Sequence, residues 1–279
     1  MNLKIKSILL TLTLTLPLRA GVLKTFETKH LADVEAAVAE LTQTIPPARI
    51  LVATDLDNTL LSMDTDLGSE HWYLWQKSLI EGGQLGFPAV ADSTSGLLRV
   101  QDVITFLQKM HPTAEGLPAF YETLAGQGVA RIVLTSRGLT THDATVRELE
   151  RNQIPLSSEA DLGLAPGRVS GFDRGLYLTN GAHKGKTLRA FLKTAARQFD
   201  AVVFTDDRPH HVAGMNEAFD QAPEKLVSIQ FTPVIDEINS FNEGDKRTVE
   251  AQWCALASGV AAGFPGGALS TEVHPTGCP

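Results

Sequence analysis

The chain has 279 residues, 43% apolar and 20% charged, with a formal net charge of −8 at pH 7. That length fills a sizeable core with room for a second, smaller unit, and that balance excludes an intrinsically disordered chain. An acidic surplus without a basic face or stripe excludes the electrostatic footprint of a nucleic-acid-binding protein.

The chain opens with Lys4 and Lys6 ahead of an apolar run from Ile8 to Leu18, followed by Arg19-Ala20-Gly21. A basic start, a short apolar stretch and a small residue are the parts of a cleavable export signal, so residues 1–20 read as a signal peptide. The run is too short for a stable membrane anchor. Its removal takes away Lys4, Lys6 and Arg19 and no acid, moving the charge from −8 to −11. The mature protein is expected in the periplasm or secreted.

Leu31, Val34, Val38 and Leu41 recur at helical spacing within residues 28–42, and Pro46-Pro47 ends that helix. Ile50-Leu51-Val52-Ala53-Thr54 is a β-branched, apolar run that predicts a buried strand. Beyond it, His71 to Ile80 places Trp72, Trp75 and Leu79 on one helical face, Gly82 to Gly96 is a loop, and Val100, Val103, Ile104 and Leu107 mark another helix. Residues 61–111 therefore read as a small helical insert after the first strand. The Trp pair is taken as its core rather than as a substrate platform, and Asp64 with Asp66 as a solvated flap.

Regular alternation resumes at Leu117. A helix to about Leu124 precedes the strand Arg131–Leu134, and a helix follows from His142 to Arg151. The apolar segment Leu176–Leu178, a helix from Thr187 to Arg197 and strands at Ala201–Thr205 and Leu226–Phe231 complete the pattern. Strands alternating with helices predict an α/β fold, a mostly parallel sheet with helices on both faces. Residues 21–60 and 112–279 would form this core, with a loosely held Gly- and Pro-rich tail from Gly259. Cys254 and Cys278 either stay as thiols or pair; a bond would close a loop of about 25 residues, worth roughly 3 kcal/mol.

Four segments carry candidate chemistry. Asp55-Leu56-Asp57-Asn58-Thr59 follows the first buried strand directly. Ligands of open α/β sheets gather beyond the carboxyl ends of strands, where one carboxylate can attack phosphorus and another handle protons. Thr135-Ser136-Arg137 ends the second strand, offering hydroxyls, backbone amides and a guanidinium to phosphate oxygens; Arg137 reads equally well as an ion pair holding the insert. Lys184 and Lys186 lie in His183-Lys184-Gly185-Lys186-Thr187, with His183 as a packing or capping residue. Asp206-Asp207 ends another apolar strand, and the adjacent His210 and His211 read as structural or solvated because neighbouring side chains diverge. Asn180 to Thr187 also nearly fits a nucleotide-binding P-loop, but Asn180 stands where a Gly is needed, and that reading leaves Asp55-Leu56-Asp57 unexplained.

In this order the segments resemble the haloacid-dehalogenase superfamily, whose first motif is D-x-D-x-T. A leader peptide and Leu67-Gly68-Ser69-Glu70-His71-Trp72 soon after that motif resemble an uncharacterised secreted bacterial branch of it. The resemblance implies a Rossmannoid core with a cap. It further implies that Asp55 is a nucleophile forming an aspartyl-phosphate, Asp57 a general acid and base, and Thr135 a phosphate-binding residue, with Lys184, rather than Lys186, as the lysine of the third motif. Mg2+ is expected on Asp55, the Asp57 backbone carbonyl and Asp206, with Asp207 in support. The expected activity is magnesium-dependent hydrolysis of a small phosphate monoester; transfer to another acceptor and a non-catalytic phosphate-binding module are the alternatives.

Overall fold

Alternate residues of each apolar run belong to opposite faces of one sheet, and that division organises the molecule. The computed structural model describes residues 21–84, 86–263 and 278. The expected signal peptide at 1–20 lies outside them, as does most of the tail beyond residue 263.

The chain begins with β1 (Val22–Thr28), α1 (Leu31–Thr42), β2 (Ile50–Thr54) and the short β3 (Leu61–Met63). The insert helices α2 (Glu70–Glu81) and α3 (Thr94–Leu107) lead to β4 (Met110–Pro112). Next come α4 (Leu117–Gln127), β5 (Ala130–Thr135), α5 (His142–Arg151), β6 (Phe172–Asp173) and β7 (Leu176–Leu178). The last elements are α6 (Lys184–Thr194), β8 (Ala201–Asp206), α7 (Pro209–Phe219), β9 (Lys225–Phe231), α8 (Ile235–Glu243) and α9 (Arg247–Gly263).

The seven-stranded sheet runs β1-β9-β8-β2-β5-β7-β6 and is parallel except for the β6–β7 hairpin. Ile50 and Val52 of β2 join Val34, Val38 and Leu41 of α1 on one face. Leu51 and Ala53 join Leu188 and Phe191 of α6 with Met215 and Phe219 of α7 on the other. A strand buried on both faces reads as a continuous apolar run rather than an alternating one, which is the pattern of Ile50–Thr54. The architecture is the expected Rossmann-like α/β fold.

Edge strand β1 is not evident in the sequence pattern: Val22 and Leu23 are exposed, and pairing with β9 selects the strand more than an apolar face does. The pair β3–β4 is equally inconspicuous, because three residues on each side are too few to show a period. These two antiparallel strands close the base of the insert.

Within the insert, Trp72, Leu97, Val100 and Ile104 bury against Phe241 of α8 and Val249, Trp253 and Ala257 of α9. Trp72 is core, and Trp75 packs partly buried beside it. The expected assignment of all of 112–279 to the sheet core therefore misses the C-terminal helices, which share the insert's core. Cys254 is bonded to Cys278, so the open question between thiols and a bridge resolves to a bridge. Asp64 and Asp66 are exposed, as a solvated segment requires, and Asp64 pairs with His111 and Asp66 with His71 at the foot of the insert. Among the described residues no helix is long and apolar enough to cross a membrane.

Glu148 of α5 fastens β4 to the core. Its buried carboxylate accepts from the Met110 amide at 2.8 Å and from Arg147 and Arg151 at 2.9 Å. Burial alone would raise its pKa, but Arg151, the Met110 amide and Arg147 together hold it below the usual carboxylate range. The stability it supplies is thus complete above the unfolded pKa near ~4.3 and disappears as pH falls through the lower folded value. Glu148→Gln should cost about 2 kcal/mol in urea unfolding at pH 7 and progressively less in an acid series from pH 5 to pH 2, as Glu148 itself protonates and the two proteins come to resemble each other. An equal cost throughout the series would contradict this.

Candidate active site

Parallel pairing of β2 with β8 sets Thr54 opposite Thr205, so the next residues, Asp55 and Asp206, emerge side by side. The ladder continues one step, the Asp55 amide donating to the Thr205 carbonyl at 2.8 Å. Two buried carboxylates at neighbouring strand ends repel each other unless a cation lies between them. Lys184, the first residue of α6, supplies one: its Nζ is 2.6 Å from Asp55 Oδ1 and 2.6 Å from Asp206 Oδ2. His183 caps that helix, its Nδ1 accepting from the Lys186 amide.

Gly185 explains why a helix can start so close to the sheet. A Cβ there would sit 2.6 Å from the Gly214 carbonyl oxygen and 2.8 Å from Ala218 Cβ of α7. Lys186, the lysine a P-loop would use, is exposed.

Electrostatics follow from depth. Asp206 is completely buried; burial would raise its pKa, but Lys184 and His211 hold it below the ordinary value. Burial pushes the Asp55 pKa well up, with Lys184 opposing and Asp206 adding to the rise. Burial would weaken the charge on Lys184, yet Asp55 and Asp206 overcome it and keep the ammonium protonated. Asp207 is pushed up to about 9 by burial and by Glu70, Asp55 and Asp206.

Asp55, Asp206 and Asp207 each offer an oxygen within 4.8 Å of the others. Asp207 Oδ1 is buried with no hydrogen-bond partner, whereas Asp206 is engaged by Lys184, His211 and the Arg208 amide. An all-oxygen donor set with one orphaned carboxylate oxygen fits a hard divalent cation. Of the two acids, Asp207 has the oxygen without a hydrogen-bond partner, and Asp206 is the one that pairs with Lys184.

Asp57 stands across the cavity floor, gripped by Arg137 through Nε at 2.9 Å and Nη2 at 2.7 Å. Arg137 also donates to Thr145 at 2.9 Å, so its ion pair holds the first motif, not the insert. Thr135 is buried, and its hydroxyl oxygen accepts from the Arg137 amide at 3.2 Å, leaving the O–H free to donate into the cavity. Ser136 is exposed at the same edge, its carbonyl accepting from the Gly181 amide at 3.0 Å. Asp55, Asp57, Thr135, Ser136, Arg137 and Lys184 all line one cavity of about 450 Å³.

Three contributors escape a reading of the sequence. Thr59, the last residue of the first motif, accepts from the Asp207 amide at 2.9 Å and pins the fourth motif to the first. Glu70, in the first turn of α2, accepts from Asn58 Nδ2 at 3.0 Å and from Arg208 Nη2 at 2.6 Å, tying the insert to both acidic loops. His211 lines the cavity with Nδ1 3.1 Å from Asp206, a structural tie, while His210 is exposed and solvated. An acid at the first residue of a helix is ordinary dipole chemistry, so Glu70 carried no signal; the Asp206-to-His211 spacing was the available clue for His211.

Gly185→Ala should cost about 2 kcal/mol in urea unfolding, because the α6–α7 contact cannot admit a methyl group. Gly126→Ala, in helix α4 with nothing near its missing Cβ, should instead leave stability unchanged or raise it by up to ~1 kcal/mol. Equal effects at the two glycines would contradict the close approach.

No curated protein matches this sequence. The family model described as "Protein of unknown function (DUF2608)" matches residues 27–262 of the 279, and the chain belongs to that family.

Proposed function

We propose that this protein is a magnesium-dependent phosphomonoester hydrolase of the haloacid-dehalogenase type, acting through an aspartyl-phosphate on Asp55 and exported from the cytoplasm. The observation that carries the reading is Lys184, buried and 2.6 Å from both Asp55 and Asp206, at the floor of a cavity that the first three motif segments line. Export is supported by the pattern of residues 1–20 and by the Cys254–Cys278 bridge, which oxidising compartments favour.

In the first step an Asp55 carboxylate oxygen attacks phosphorus in line, and the bond from phosphorus to the leaving oxygen breaks. Thr135 donates its hydroxyl to a phosphoryl oxygen, and the Lys184 ammonium offsets the charge that gathers there. Asp57 gives the leaving oxygen a proton. Water then attacks the acyl phosphate at phosphorus, Asp57 takes a proton from it, and inorganic phosphate leaves with Asp55 restored.

Arg137 holds the Asp57 carboxylate by two hydrogen bonds, in place for the proton it takes in the second step. The first step needs a proton on Asp57, so the pair has to loosen as substrate enters and offers the guanidinium a phosphate oxygen in exchange. Asp55, Asp206, Asp207 and the Asp57 carbonyl would hold Mg2+, Asp207 offering the oxygen without a hydrogen-bond partner, and the ion would supply Lewis-acid stabilisation of the phosphoryl oxygens. Nucleotide binding through a P-loop is disfavoured, because Lys186 faces solvent and Lys184 reaches the acids.

On a panel of phosphate monoesters with Mg2+, Asp55→Asn should lose at least about a thousandfold in kcat, and Lys184→Ala a comparable amount. Lys186→Ala should stay within about threefold of wild type. A P-loop enzyme would show the opposite order for the two lysines. Hydrolysis undiminished in Asp55→Asn would end the proposal.

A further inference from the structure

The cavity also bears on which phosphate ester it takes. Its lining residues with basic side chains are Arg137, Lys184 and His211. Each faces a catalytic acid, Arg137 facing Asp57, Lys184 facing Asp55 and Asp206, and His211 facing Asp206, and in the proposed first step Arg137 passes to the transferred phosphoryl group. Among the described residues, no basic side chain lining the cavity is left for the part of the substrate that departs.

The wall contributed by α3 is the reverse. Asp102 lines the cavity, and its Oδ2 accepts from the Thr140 hydroxyl at 2.7 Å, which holds the carboxylate between the insert and the loop after β5. One residue earlier, Gln101 lines the same cavity. Its Nε2 donates to the Gly68 carbonyl, which fixes the amide orientation, and its Oε1 is buried without a partner. A carboxylate on this wall calls for a ligand that donates hydrogen bonds or carries positive charge. A second phosphate or a carboxylate on the leaving group would instead meet Asp102 with no cation to offset it.

Resting on the hydrolase reading, we infer that the cavity selects monoesters whose leaving group carries a cationic amine, and that Asp102 is the specificity-determining residue. Tyr73 and Leu98 complete the wall and fit a short carbon chain between phosphate and amine.

The test uses phosphonates of two to six carbons ending in an amine, a methyl or a carboxylate, bound to the full protein with Mg2+ and followed by calorimetry. The matching phosphates are assayed for hydrolysis in parallel. At the best chain length the amine should bind at least tenfold more tightly than the methyl compound, and the carboxylate most weakly. In Asp102→Asn, which keeps an acceptor for Thr140, the amine-to-carboxylate ratio should fall at least tenfold. Equal binding of the three classes, a carboxylate preference, or an unchanged ratio in Asp102→Asn would overturn the inference. Hydrolysis without this order sinks the inference alone. The binding order without hydrolysis of any phosphate sinks the hydrolase reading alone, and a wild type that binds none of the phosphonates overturns both.

Discussion

A lysine ammonium lodged between two buried carboxylates is the interaction on which the site depends. Parallel register forces Asp55 and Asp206 together at the ends of β2 and β8, and neither can stay ionised at that depth alone. Lys184 offsets part of that charge from the opening turn of α6, and Gly185 lets α6 seat close enough for its side chain to reach. One lysine does not offset three acids. Asp207, with an orphaned oxygen and a pKa pushed up by burial and its acidic neighbours, marks where further positive charge belongs. Packing, helix placement and the demand for a cation are thus consequences of one crowding of charge.

Around that centre the chain uses its loops as ties. Thr59 holds the loop after β8, Arg137 holds Asp57, and Glu70 reaches in from the insert to Asn58 and Arg208. The insert itself is not a hinged lid on a slender stem. Its helices share a core with α8 and α9, and Cys254 of α9 is bridged to Cys278. Such a wall suits selection by fixed groups like Gln101 and Asp102 better than selection by large closure.

What could be read from the sequence was local. Asp55, Asp57, Thr135, Lys184 and Asp206 each stand where an apolar strand ends or a helix begins, and such junctions show in the pattern of a few residues. Both faces of the sheet were equally legible, since doubly buried strands such as Ile50–Thr54 are apolar throughout. Glu70 and His211 were not, because their meaning depends on which way a helix is turned once packed. The same holds for the C-terminal helices: their apolar residues announce burial but not the partner. Between Asp206 and Asp207 the sequence expectation rests on the resemblance alone, whereas the hydrogen bonds made by each carboxylate set them physically apart.

The most direct measurement is a crystal structure of the protein with Mg2+ and beryllium fluoride, a mimic of a phosphorylated carboxylate. Density joined to an Asp55 oxygen is expected, with the metal contacting Asp207 and the Lys184 ammonium and Thr135 hydroxyl on the fluorides. A fluoride group bound away from Asp55, or a metal that ignores Asp55 and Asp207, would contradict the proposed chemistry.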